Sequence, residues 1–158
     1  MYYLKDHLLK QSYLKLPKEL YQKISPEVVT KPKLLLFNTN LASSLNIKLD
    51  SKEYTSTTNI LSGNTLANNC QPIAQAYAGH QFGFYSPQLG DGRAILLGEV
   101  QNLEGNVFDL QLKGAGKTNY SRQGDGKAPL TAAIREYIIS EAMHALNIPT
   151  TRSLAITT

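Results

Sequence analysis

The sequence predicts an α+β fold in which an antiparallel sheet is followed by one long helix. Three segments carry that prediction. Inside residues 93–100, the run Ala94-Ile95-Leu96-Leu97 is short and continuously apolar, the pattern of a buried strand. Residues 107–113 alternate in period two, with Phe108, Leu110 and Leu112 on one face and Asp109, Gln111 and Lys113 on the other. Residues 130–146, LTAAIREYIISEAMHAL, keep a helical period until Asn147 and Pro149 end it, and Pro129 suits the first turn. With 158 residues and 42% apolar content, the chain is long enough to bury one core.

Residues 1–58 are rich in Lys, Ser and Thr and are interrupted by Pro17, Pro26 and Pro32. They read as an N-terminal extension with one helix at 34–45. Residues 59–158 read as the domain that carries the site. Its opening, 59–75, is polar and turn-rich, and a strand is expected at 80–85, where aromatic residues interleave with Gly79 and Gly83. The loop SPQLGDG leads into the buried strand at 93–100, and QNLEGN turns the chain into the alternating strand. That strand ends at Lys113 on its polar face, and the glycine-rich stretch GAGKTNYSRQGDGKA leads to the helix. Ile134, Ile138, Ala142 and Ala145 form one apolar stripe and Ile139, Met143 and Leu146 a second beside Glu136, so the helix is expected to bury two flanks with Glu136 near the interior.

Strand, glycine loop, strand, turn, strand ending in Lys, glycine-rich loop and a helix carrying Glu is the order of a protein-kinase small lobe. In that lobe a glycine loop covers phosphates, a strand-borne Lys contacts them, and a Glu on the αC helix pairs with the Lys.

Composition narrows the partners. A net charge of +4 favours an anionic ligand only mildly, and the lysines before residue 53 are spread singly, which argues against a nucleic-acid tail. Cys70 is the sole cysteine, so no intramolecular disulfide can form and a reducing, cytoplasmic setting is expected. The N-terminal residues show no apolar stretch of signal-peptide length, and no membrane span is indicated. His80 and His144 lack second ligands at metal-binding spacing and read as structural. Thr118, Tyr120 and Ser121 carry hydroxyls, but no histidine base stands in a recognisable arrangement with them.

The candidate chemistry lies in two near-copies of one motif. Gly90-Asp91-Gly92-Arg93-Ala94 is either a plain turn or a loop whose backbone N–H groups meet an anion, with Arg93 adding a forked cation. Gly124-Asp125-Gly126-Lys127-Ala128 repeats the pattern thirty-four residues later, so two loops can grip two ends of a polyphosphate. Asp125 can equally cap the following helix or close an Asx-turn. Lys113 opens onto Gly114-Ala115-Gly116, where a phosphate can dock. Glu136 is its expected partner, with Arg122 and Arg135 as competitors for that carboxylate.

Taken together, YAGHQFG (77–83), QLGDGRAILLGE (88–99), DLQLKGAG (109–116), YSRQGDGKA (120–128), REY (135–137) and SEAMHALNIPTTR (140–152) resemble the SelO (YdiU) family. The resemblance is close from about residue 61 to 155 and looser back to about residue 16. It implies a kinase-like fold, similar to pseudokinases that bind ATP in a flipped orientation and transfer AMP to Ser, Thr or Tyr hydroxyls of proteins, releasing pyrophosphate. Gly90, Gly92 and Arg93 would sit on the phosphates, Lys113 would bind phosphate while paired with Glu136, and Asp125 and Gly126 would belong to the same pocket. Magnesium or manganese would be held by residues beyond Thr158, as would the catalytic-loop acid. On that ground the 158-residue chain is expected to be an incomplete lobe, inactive by itself and prone to self-association. Lys117 and Asn119 stand where the family usually has prolines, and Lys127 where Arg is usual. The alternative is a non-catalytic module that binds a nucleotide or a protein partner.

Overall fold

The computed structural model describes residues 1–7 and 10–158. The regular elements, in chain order, are β1 (Tyr2–Tyr3), β2 (Tyr21–Lys23), β3 (Leu34–Phe37), α1 (Thr39–Ser44), β4 (Ile47–Lys48), α2 (Tyr54–Leu61), β5 (Ile73–Gln81), β6 (Phe84–Gly90), β7 (Ala94–Gln101), β8 (Val107–Lys113), α3 (Leu130–Ala145) and β9 (Ala155–Thr157). The class is α+β. Among the described residues the main sheet has five strands in the order β2-β5-β7-β8, with β6 paired to the outer half of β5. All of its pairings are antiparallel.

The apolar run in β7 behaves as its composition dictates: Ile95, Leu96, Leu97 and Val100 are buried. β8 alternates, burying Leu110 and Leu112 while Asp109, Gln111 and Lys113 face outward. Phe108 departs from that alternation and is exposed, on the wall of an open groove.

The segment before Asn59 supplies part of the same core. Leu4, Leu41, Leu45 and Ile47 pack with Leu97, Val100, Leu110, Leu112 and Leu154, and β2 adds an edge to the sheet through Gln22↔Ala74. Full burial of one such side chain contributes about 1.5–3 kcal/mol. Leu4, with no exposed surface, is therefore as much a core residue as Ile95.

Five expectations need correcting. The helix expected at 34–45 is a strand followed by a helix. Leu34–Phe37 pairs antiparallel with β9, and Asn38 then starts α1 by accepting from Leu41 N at 3.0 Å. The strand expected at 80–85 is the tip of a hairpin: Gln81 pairs with Phe84, and Phe82 and Gly83 form a two-residue turn with φ of 55° and 82°. Positive φ at both turn positions matches the twist of the flanking strands. The segment SPQLG, expected as loop, belongs to β6, which tolerates Pro87 because β6 pairs on one side only. The turn-rich stretch 59–75 holds the end of α2 and the start of β5.

The fifth correction concerns α3. It buries no residue, and Ile138, Ile139 and Leu146 are 58%, 61% and 69% exposed. Two apolar stripes predicted two covered flanks, but nothing among the described residues packs over them. The helix is anchored mainly by polar contacts near its C-terminal half. Arg152 donates from Nε and Nη2 to the two oxygens of Glu141, each at 2.6 Å, and Asn38 Nδ2 donates to Glu141 Oε2 at 2.8 Å. This arrangement holds the Glu141 carboxyl below its ordinary range, chiefly through the Arg152 hydrogen bonds. Among the described residues no helix is long and apolar enough to cross a membrane.

Candidate phosphate-binding cleft

The first Gly-Asp-Gly loop lies between β6 and β7 and is fastened by its aspartate. Asp91 N donates to Gln75 O at 2.9 Å, Gln75 N donates to Asp91 Oδ2 at 3.1 Å, and Gln111 Nε2 donates to the same oxygen at 3.3 Å. The Asp91 side chain therefore ties the loop to β5 and β8. Asp91 is only 8% exposed, and burial pushes its carboxyl above the usual carboxylate range against the opposing effect of the Gln75 N–H. Although Asp91 borders the cleft between the two loops, its Oδ2 is taken up by the Gln75 and Gln111 N–H donors.

Packing requires glycine at position 90: a Cβ there would overlap the ring of Tyr120. That ring belongs to the second glycine-rich stretch, which folds down on the first loop. Thr118 Oγ1 donates to Asp91 O at 2.6 Å and Ser121 Oγ to Gly92 O. Thr118 N donates in turn to Ser121 Oγ at 2.8 Å. The hydroxyls of Thr118 and Ser121 thus tie the second stretch to two backbone carbonyls of the first loop.

The second Gly-Asp-Gly loop closes on itself. Gly116 N donates to Gly126 O at 3.3 Å, and Ala115 and Lys127 form an antiparallel bridge. Gly126 has φ of 72° and its Cα faces the Gly116 carbonyl so closely that no Cβ fits. Asp125 Oδ1 accepts from Lys127 N at 2.9 Å, which is an Asx-turn. The alternative, a cap for α3, is not what it does: the first turn of that helix bonds to Pro129 O through Ala132 N and Ala133 N.

Between the loops lies an open cleft of about 840 Å³. Gly90, Gly92, Arg93, Lys113, Asp125 and Gly126 all line it, so six candidates separated by up to thirty-six positions in sequence share one cavity. Arg122 and Lys127 add two more cations to the wall. Glu136 does not line this cleft. Its carboxylate accepts from Lys113 Nζ at 2.7 Å, on the side of Lys113 that faces a second groove of about 1670 Å³ running between β8, α3 and the C-terminal residues. Both side chains of that pair are about half exposed, at 48% and 53%, which corrects the expectation of an interior Glu136. An exposed pair of this kind contributes roughly 0–1 kcal/mol, so it orients Lys113 rather than holding the helix. Of the competing partners, Arg122 donates to Gln81 Oε1 instead.

Tyr120, Glu27 and Gln22 were not legible as site residues. Tyr120 floors the first loop, while Glu27 and Gln22 bond to Lys117 N and Asn119 N from ninety or more positions away. No local pattern marks contacts at that separation. His80 lies edge-on to Tyr85 at a centroid distance of 5.6 Å. Both cleft carboxylates are engaged by N–H donors, and among the described residues no group of three or more His, Cys, Asp or Glu is placed to hold a metal ion. The residues here do not assemble a ligand set for magnesium or manganese.

Compared with known proteins, residues 5–158 match the family described as protein adenylyltransferase SelO. The chain belongs to the SelO family. Protein nucleotidyltransferase YdiU of Clostridium botulinum is 55% identical over 148 residues, covering 94% of this chain and 30% of that protein. The proteins of the same name from Nitrobacter hamburgensis and Halalkalibacterium halodurans are 56% and 53% identical, covering 91% and 92% of this chain and 28% and 30% of theirs. The chain thus spans about 30% of the length of the curated SelO-family relatives it matches. Within that span lie both Gly-Asp-Gly loops, Lys113 and Glu136.

Proposed function

We propose that this chain is the ATP-binding portion of a protein adenylyltransferase, with residues 59–158 forming a kinase-like small lobe. The observation that carries the reading is the convergence of the two Gly-Asp-Gly loops and Lys113 on one cleft. Arg93 and Lys113 supply charge to the phosphates, and Gly90, Gly92 and Gly126 admit them close to the backbone. Asp125 orders the backbone N–H of Lys127 at the cleft wall, and Glu136 keeps Lys113 extended.

The reaction is attack of a Ser, Thr or Tyr hydroxyl oxygen of a protein on the α-phosphorus of ATP. An O–P bond forms to the hydroxyl, the α–β bridging bond breaks, pyrophosphate leaves with the electron pair, and the hydroxyl proton passes to a general base. The work of these residues is positioning and neutralising the charge that grows on pyrophosphate. A divalent cation, magnesium or manganese, would supply further neutralisation, from ligands outside the described residues.

The test is labelling of protein by ATP carrying the label at the α-phosphate, using the protein at its full natural length. Lys113→Ala is expected to lower labelling by about 100-fold, as for removal of a donor at a developing charge. Labelling that is absent in the wild type, or equal in Lys113→Ala, would sink the reading. ATP binding without transfer would move it to a nucleotide-binding module. For the 158 residues alone, exposed Phe82, Phe84, Ile138 and Ile139 favour self-association, which sedimentation at two concentrations would detect.

A further inference from the structure

Besides the contacts it makes with itself, the second Gly-Asp-Gly loop is held by a residue from outside it. Glu27 lies between β2 and β3, and its backbone N–H donates to Ala115 O at 2.8 Å. Its Oε1 accepts from Lys117 N at 3.2 Å and its Oε2 faces Lys127 Nζ at 3.4 Å. Lys117 and Lys127 stand on opposite limbs of the loop, so one side chain spans the neck. A Cβ on Gly116 would lie 2.5 Å from Glu27 Cγ, and that position has φ of 119°. Glycine at 116 therefore makes room for Glu27. Gln22 repeats the device further along, where Asn119 N donates to its Oε1 at 2.7 Å.

A stretch with glycines at 114, 116, 124 and 126 has many conformations to lose when it orders, and it borders the cleft where order matters. We propose that Glu27 is a positioning residue of the phosphate cleft, closing the neck of the 114–127 loop so that Gly126 and Lys127 face the bound anion. This rests on the reading of the cleft as a nucleotide site. Of its two carboxylate contacts, the pair with Lys127 is half exposed on both sides and screened by solvent, so it adds little. The oxygen on Lys117 N does the positioning, because it fixes backbone. A side chain that keeps an acceptor at that point preserves the site, and one without it does not.

Titration of the full-length protein with a fluorescent ATP analogue separates these outcomes. Glu27→Ala is expected to weaken ATP by about tenfold, the effect of one hydrogen bond to a charged group, with Glu27→Gln within about twofold of wild type. Adenosine, which has no phosphate, is expected to bind equally to all three. ATP affinity in Glu27→Ala within twofold of wild type overturns the assignment, and so does an equal loss in Glu27→Ala and Glu27→Gln. Lys113→Ala is the control: if it weakens ATP and Glu27→Ala does not, the nucleotide reading stands and this inference falls. A folded wild type that binds no ATP overturns both. If Glu27→Ala unfolds at the assay temperature, Glu27→Asp replaces it. One methylene shorter, Asp keeps the charge but withdraws the acceptor from Lys117 N, and wild-type affinity in that variant overturns the proposal.

Discussion

The Gly-Asp-Gly sequence at 90–92 and its repeat at 124–126 differ in almost every physical respect. In the first, the aspartate is buried and fastens two strands, and the leading glycine is demanded by the ring of Tyr120. In the second, the aspartate is exposed and closes a local Asx-turn, and the last glycine is demanded by a left-handed backbone pressed against the Gly116 carbonyl. One loop is fixed by its neighbours and the other by its own backbone, with Glu27 at its neck. The same three letters thus solve two problems, and both loops still reach one cleft.

Substitutions can break this contrast. The largest effect is expected at Gly126→Ala, where positive φ and a blocked Cβ coincide: roughly 3 kcal/mol or more in urea unfolding, against about 1 kcal/mol or less for Gly124→Ala, whose nearest obstacle is Ser121 O at 3.1 Å. If Gly124→Ala proves the costlier, the two roles have been exchanged.

Next comes Gly90→Ala, expected to cost about 1–3 kcal/mol through overpacking against Tyr120. Tyr120→Ala in the same chain should relieve much of it, and strict additivity of the two changes would mean that the ring is not the obstacle.

Asp91→Ala should cost about 1–3 kcal/mol, because it orphans the Gln75 N–H, while Asp125→Ala should stay within about 0.5 kcal/mol since water can serve the Lys127 N–H. Equal losses would contradict the inward and outward placement of the two carboxylates.

The smallest effect is a pH slope, read as wild type minus variant unfolding temperature between about pH 3 and 7. Burial raises the Asp91 carboxyl, so its stabilising contribution is full below the ordinary aspartate range and is lost as pH rises through the raised value. Relative to Asp91→Asn, wild type should gain as pH falls. Glu141 is depressed by Arg152, so its contribution is present above the ordinary glutamate range and is lost as pH falls through the lowered value. Relative to Glu141→Gln, wild type should lose. Slopes of one sign for both residues would show that the two carboxylates share an environment.

Much of the central architecture was legible from the sequence. The alternation of Val107–Lys113 gave β8 with the observed bounds, the run at 94–97 fell inside β7, and the helical period starting at Leu130 ended within a residue of α3. These are local signals, set by side-chain periods of two and 3.6. Errors gathered where a local pattern had two outcomes. Leu34-Leu35-Leu36-Phe37 fits a strand or a helix equally until β9 is present to pair with it. The hairpin tip carries Phe82, rather than Asn or Gly, in a left-handed conformation, so it gave no turn signal. The apolar stripes of α3 marked surfaces able to be covered, which is not the same as surfaces that are covered.

For the candidate cleft, residue types and order along the chain already named Gly90, Gly92, Arg93, Lys113, Asp125 and Gly126, which share one cavity, because cations and bare backbone can be read from the letters wherever the chain runs. The motifs also pointed to the SelO family without a coordinate. Tertiary structure alone decided that Asp91 faces inward, that Tyr120 floors the first loop, that Glu136 is exposed and that Glu27 holds the second loop. The reason is one of range. Periodicity and composition are properties of neighbours in sequence, whereas burial, Cβ clearance and the partner of an N–H depend on residues that only folding brings within a few ångströms.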